Sequence, residues 1–127
     1  MIGADTNTII RFLIRDNESQ AQKVKKVIEN GETLFINQVV LSEIYYVLTK
    51  VYKLSNNDFI KSIDKLLETE GFEFFDNKLV KNIIKDFIES SAGFEDCMIH
   101  QLNASQKLQT ITFDEKASKL KAMRLLK

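Results

Sequence analysis

Short apolar runs alternate along the chain with longer stretches in which apolar residues recur every three or four positions. That alternation is expected of strands joined by amphipathic helices. Residues 2–5 read as a short strand and 6–15 as a helix carrying Ile9, Ile10, Leu13 and Ile14. Residues 18–30 form a second predicted helix with Ala21, Val24, Val27 and Ile28 on its apolar side, and Gly31 stops it as a C′ glycine does. Leu34, Phe35 and Ile36 make a second strand, and 39–52 a long helix. The polar cluster at 55–58 caps a further helix running to about Glu70. A third strand at 72–75, a helix at 77–90, a break at Ser91-Ala92-Gly93 and a helix at 94–106 follow. The pattern closes with a fourth strand at 110–113, a basic helix from Glu115, and Leu125-Leu126 as a weak fifth strand. It predicts an α/β fold: a mostly parallel sheet of four or five strands flanked by helices. No repeat or Gly/Ser-rich linker interrupts it, so 1–127 reads as a single domain.

Composition narrows the chemistry. Eighteen Lys and Arg against 18 Asp and Glu leave no net charge, which argues against a partner held by bulk polycation attraction. One cysteine, Cys97, excludes an internal disulfide and a multi-cysteine zinc site. One histidine, His100, excludes mechanisms that need two imidazoles from this chain. No run approaches the ~20 apolar residues of a spanning helix. Asp5 also interrupts the place where an export signal would carry its apolar segment. Cytoplasmic residence, with no membrane partner, is the expectation.

The informative residues are four carboxylates. Asp5 and Asp114 each follow an apolar run directly, and in a parallel sheet the strand carboxyl ends share the edge where α/β proteins bind ligands. Glu43 falls in the second turn of the helix after the second strand, on the border of its apolar stripe. Asp96 falls in the first turn of the helix leading to the fourth strand, whose start belongs at the same edge. Four acids from distant stretches are thereby predicted to converge. Such a group repels itself unless a divalent cation neutralises it, and oxygen donors suit Mg²⁺ or Mn²⁺. That ion would acidify water and neutralise charge on a phosphate, allowing phosphodiester hydrolysis without a histidine base. Each acid also has a plain alternative. Asp5 and Asp114 fit helix N-caps, Asp96 fits a first-turn carboxylate favoured by the helix dipole, and Glu43 fits an edge residue whose stem lies on apolar surface.

At these positions the sequence resembles the PIN-domain family, nearest to the VapC-type toxins of bacterial toxin–antitoxin pairs. Asp5-Thr6-Asn7 followed by Ile9-Ile10-Arg11-Phe12-Leu13 resembles the family opening. Leu41-Ser42-Glu43-Ile44 resembles the second motif, Gly93-Phe94-Glu95-Asp96-Cys97-Met98-Ile99 the third, and Thr112-Phe113-Asp114 the fourth. The motifs occur in family order over essentially the whole chain.

The resemblance implies a three-layer α/β/α PIN fold and a Mg²⁺- or Mn²⁺-dependent endoribonuclease leaving a 5′-phosphate and a 3′-hydroxyl. Asp5, Glu43, Asp96 and Asp114 would be the catalytic, metal-holding acids, supported by Thr6, Asn7 and Thr112. Gly93 stands where many relatives carry another Asp, which bears on whether one or two ions bind. RNA would be gripped by Arg11, Arg15, Lys116 and Lys119, with Lys121, Arg124 and Lys127 extending the basic C-terminal segment. A cognate antitoxin and a homodimer are implied as partners. The surplus apolar residues Ile44, Tyr45, Val47, Leu48 and Val51, against Phe59, Ile63, Leu66 and Leu67, fit such a partner. His100 and Cys97 read as structural, and Tyr45, Tyr46 and Tyr52 as packing residues. The alternatives are a PIN-fold RNA-processing nuclease that is not a toxin, a non-catalytic binding module, and an aspartyl phosphatase. Asn7 disfavours the last, since such enzymes need a second Asp there.

Overall fold

The computed structural model describes all residues, 1–127. The chain gathers into two compact units, Met1–Phe75 and Asp76–Lys127. The first runs β1 (Ile2–Gly3), α1 (Thr6–Leu13), α2 (Glu18–Glu29), β2 (Leu34–Ile36), α3 (Gln38–Tyr46), a π-helical turn (Val47–Val51), α4 (Asn56–Glu68) and β3 (Phe72–Phe74). Its strands lie in the order β1-β2-β3, all parallel, with Ile2 opposite Leu34 and Ile36 opposite Phe74. The helical connections between successive strands make parallel pairing the natural outcome. Ile9, Ile10, Ile36, Leu41, Ile44, Leu48, Phe59, Ile63 and Leu66 are buried almost completely and form the core. Each such side chain removed from water stabilises the fold by about 1.5–3 kcal/mol. Gly71 turns α4 into β3 at φ +105°, and a Cβ there would collide with the Ile28 side chain. Only glycine meets both conditions.

The second unit runs α5 (Asn77–Glu89), α6 (Phe94–Ser105), β4 (Thr110–Thr112), a 3₁₀ turn (Ala117–Lys119) and β5 (Met123–Leu125). β4 and β5 pair in parallel, Thr110 opposite Met123 and Ile111 opposite Arg124. Phe87 of α5 meets Phe94 of α6 edge to face, with centroids 5.4 Å apart. His100 ties the unit together. Its Nε2 accepts the Ala122 N–H at 3.1 Å, so the proton sits on Nδ1, which donates to Asp86 Oδ2 at 2.7 Å. Gln101 donates to the same Asp86 oxygen at 2.8 Å. His100 is therefore a structural residue. Cys97 is buried beside it on α6, and burial pushes its thiol up to about 11, which leaves it inert at neutral pH.

The expected α/β architecture with parallel strands is present, but the strands pair as a three-stranded and a two-stranded sheet rather than as one sheet of four or five, and two elements differ from expectation. The long helix at 39–52 is α-helical only to Tyr46. There the Thr49 hydroxyl donates to the Tyr45 carbonyl, and the Tyr52 N–H donates back to the Val47 carbonyl in a π turn. The basic helix from Glu115 does not form. One 3₁₀ turn ends at Leu120, which is extended and buried, and the chain enters β5 with Met123 buried and Ala122 held by His100. Tertiary pairing overrides the helical preference of the segment. The apolar surplus also has an internal explanation for the most part. Ile44, Leu48, Phe59, Ile63 and Leu66 are buried within the chain, Tyr45 packs edge to face on Phe59, and Tyr52 donates to Asp16 at 3.0 Å. Tyr46 and Val51 stay exposed. No helix is long and apolar enough to cross a membrane.

Candidate active site

Four strands end in the same way. The residue one or two places beyond each strand is Asp5, Asn37, Asp76 or Asp114, and its side chain accepts the backbone N–H three residues on. An Asx side chain here satisfies an otherwise orphaned donor of the following helix or turn. The cap and the candidate acid are thus the same residue at Asp5 and Asp114, and capping alone does not set those two apart from Asp76.

In the first unit, Asp5 Oδ1 accepts both the Thr8 N–H at 2.9 Å and the Thr8 hydroxyl at 2.7 Å. These bonds favour the charged form and hold the Asp5 carboxyl below its ordinary value, against a small opposing effect of burial. Both bonds end on Oδ1, so Oδ2 stands outside the cap. Thr6, the next residue, donates its hydroxyl to Glu43 Oε1 at 3.0 Å, which ties the first turn of α1 to α3. Glu43 keeps Oε2 outside that bond. Asn7 is exposed on the same turn and lines, with Asp5, Arg11 and Lys23, a hollow of about 270 Å³. Thr8 was not singled out in the sequence, although its spacing of three from Asp5 is that of a residue closing a cap.

In the second unit, Asp114 Oδ1 accepts the Ala117 N–H at 3.0 Å, and the Thr112 hydroxyl accepts the Asp114 N–H at 3.0 Å. Asp96 lies half-buried in the first turn of α6, after an N-cap, Gly93, that offers no side chain. Burial first, and then the negative charge of Asp114, push the Asp96 carboxyl above its ordinary value. A first-turn position by itself would favour the anion; burial and the charge of Asp114 act the other way.

The basic candidates divide into two sorts. Arg11 is engaged by Gln20 at 2.6 Å and Asp16 at 3.5 Å, and Arg15 by Glu18 at 2.8 Å. Lys116 and Lys119 are exposed, and no ion pair engages them. None of the four candidate acids is neutralised by a cation of the chain either. As donors for a cation they offer only hard carboxylate oxygens, and the mutual repulsion of Asp96 and Asp114 is what a divalent ion would relieve. In donor chemistry alone, such carboxylates suit Mg²⁺ or Mn²⁺. The structure gathers no group of three or more His, Cys, Asp or Glu side chains that could hold a metal ion, so the expected meeting of all four acids is not seen in it.

A VapC ribonuclease of Aquifex aeolicus (strain VF5) is 26% identical over 97 residues, which covers 74% of this chain and 72% of that protein. The PIN domain family model matches residues 3–123, from the first strand into the last. The chain belongs to the PIN domain family.

Proposed function

We propose that this protein is a Mg²⁺- or Mn²⁺-dependent endoribonuclease, the toxin of a toxin–antitoxin pair, and that Asp5, Glu43, Asp96 and Asp114 act together as its catalytic acids. The observation that carries the reading is the state of those acids. Three have one oxygen fixed by the fold and the other outside that bond, and the fourth is held near a second negative charge. Support for their acting together is the order of strand ends in the chain and a family match that runs through all four positions. The relative's name, a VapC ribonuclease, supports RNA as substrate.

When bound, the divalent ion supplies charge neutralisation at the phosphate and a more acidic attacking water. The chain's own part is preorganisation. Thr8 fixes Asp5, Thr6 fixes Glu43, and Thr112 fixes the backbone of Asp114, so the donor atoms are set before substrate arrives. Lys116 and Lys119 are free to meet RNA phosphates, whereas Arg11 and Arg15 must first exchange their acidic partners. An antitoxin protein that covers the acids, a homodimer and a cytoplasmic setting belong to the same reading.

The test is cleavage of a single-stranded RNA by the purified full chain. Mg²⁺ or Mn²⁺ should be required, and Asp96→Asn should lower the rate about 100-fold or more, since changes merely beside a metal ligand cost 10–100-fold. Induction in cells should arrest growth, and Asp96→Asn should abolish the arrest. Undiminished cleavage in excess chelator overturns the metal-dependent reading; RNA cleavage without growth arrest overturns the toxin assignment.

A further inference from the structure

Parallel strands are normally buried on both faces, and β4–β5 departs from this. One face, carrying Thr110 and Met123, is turned inward: Met123 is buried, and Thr110 receives a 2.8 Å hydrogen bond from Asn103 of α6. The other face carries Ile111, which is 55% exposed, and its register partner Arg124, also exposed. Phe113, in the bend directly after β4, is 79% exposed, more than any other large apolar residue of the chain. No ring or cation contact engages it. Leaving a phenylalanine this open forgoes about 1.5–3 kcal/mol of burial, and the residue after it is Asp114.

We propose that Phe113, with Ile111 and Arg124, forms a stacking platform that seats an unpaired RNA base beside Asp114. The inference rests on the nuclease reading and names the contact that would position its substrate. An aromatic face accepts any base by stacking, and it needs a cation nearby for the phosphate. Arg124 supplies one in register, and Lys116 and Lys119, both without ion pairs, follow Phe113 within six residues. Charge is what favours RNA over a second copy of the chain here. Two acids, Asp114 and Glu115, follow Phe113, but Lys116, Lys119, Lys121, Arg124 and Lys127 leave the segment net positive, so a second copy would bring like net charge against it.

Two measurements separate this contact from the chemistry. Binding of a labelled single-stranded RNA is read by fluorescence anisotropy in excess chelator, and cleavage is read with Mg²⁺ or Mn²⁺ present. Phe113→Ala should weaken binding about 5- to 150-fold and raise KM similarly, with kcat within about twofold, from a stacking contribution of about 1–3 kcal/mol per base. Phe113→Trp should restore both, Phe113→Leu should not, and an RNA abasic at the seated position should bind wild type and Phe113→Ala alike. The platform is overturned if Phe113→Ala binds and cleaves as wild type does, or if Leu restores as well as Trp. It is equally overturned if Phe113→Ala changes the sedimentation of the protein while RNA binding stays the same, which assigns the face to self-association. Wild type that binds RNA by this pattern without cleaving it sinks the nuclease reading and keeps the platform. Cleavage indifferent to Phe113 does the reverse, and absence of both binding and cleavage sinks the two together.

Discussion

Asp5 and Asp96 are aspartates at the starts of helices, and their surroundings push their carboxyls in opposite directions. Asp5 precedes α1 and receives two hydrogen bonds from Thr8, so its charged form is favoured. Asp96 sits inside the first turn of α6, where no cap serves the helix, burial removes water, and Asp114 adds like charge. The fold gains from the charge on Asp5 and loses by the charge on Asp96. A group that the fold holds against its own stability is the more specific mark of function, so Asp96 carries more of the functional inference than Asp5.

The contrast predicts opposite signs on mutation. Asp5→Ala removes the cap of α1 and should destabilise the chain by about 1 kcal/mol, seen as a lower Tm in chelator. Asp76→Ala removes the corresponding cap of α5 and should cost about the same while leaving RNA cleavage intact. If Asp76→Ala and Asp5→Ala lower cleavage equally, the strand-end acid of α1 has no special role. Asp96→Asn should act the other way, raising Tm by about 1–3 °C in chelator although it removes activity. A lower Tm for Asp96→Asn would show that its charge helps the fold, and the comparison with Asp5 would collapse.

Acidity sharpens the same contrast. Both folded values are displaced from the ordinary 3.8, Asp5 below it and Asp96 above. The contribution of Asp5 is therefore complete above pH 3.8 and is lost as pH falls from there through its lower folded value. For Asp96 the folded state binds the extra proton between 3.8 and its raised value. Stability falls as pH rises through that window, and the penalty is complete above it. The stability difference between Asp96→Asn and wild type should open as pH rises above 3.8, and that between wild type and Asp5→Asn should close as pH falls below it. Denaturant midpoints measured across this range check both. Parallel curves for the two variants would remove the distinction.

Much of this was legible in the sequence because it is local. The helices of the first unit, and α5 and α6, repeat apolar residues at helical spacing, and the strands are apolar runs that end at Asx residues. What was not legible depends on partners far along the chain. The segment after Glu115 has helical composition, but the His100 ring takes its Ala122 N–H from 22 residues away, and β4 takes the rest as a strand. Arg11 and Arg15 looked available to RNA, yet Gln20, Asp16 and Glu18 engage them. At Asp5, Asp114 and Glu43 the sequence posed cap or apolar-edge residue against ligand as alternatives. A carboxylate has two oxygens, and at each of these positions the fold uses only one of them.

Gly93 gives the smallest effect and the finest test. It is the N-cap of α6 in an extended conformation that any residue adopts, and a Cβ there would lie 3.8 Å from Asp96 Oδ2. Gly93→Asn adds a capping side chain without charge and should stabilise by a few tenths of a kcal/mol whether or not Mg²⁺ is present. Gly93→Asp adds the same cap together with a third carboxylate beside Asp96 and Asp114. In chelator the repulsion should offset the cap, leaving Asp less stable than Asn. With Mg²⁺ the order should reverse, because an added oxygen ligand tightens binding to the folded state and the stabilisation grows as RT ln(1 + [L]/Kd). The quantity to measure is the Mg²⁺-induced rise in Tm of Gly93→Asp minus that of Gly93→Asn. A positive difference means that the charge crowded around Asp96 is there to meet a cation, whereas a zero difference means that the raised carboxyl reflects burial alone.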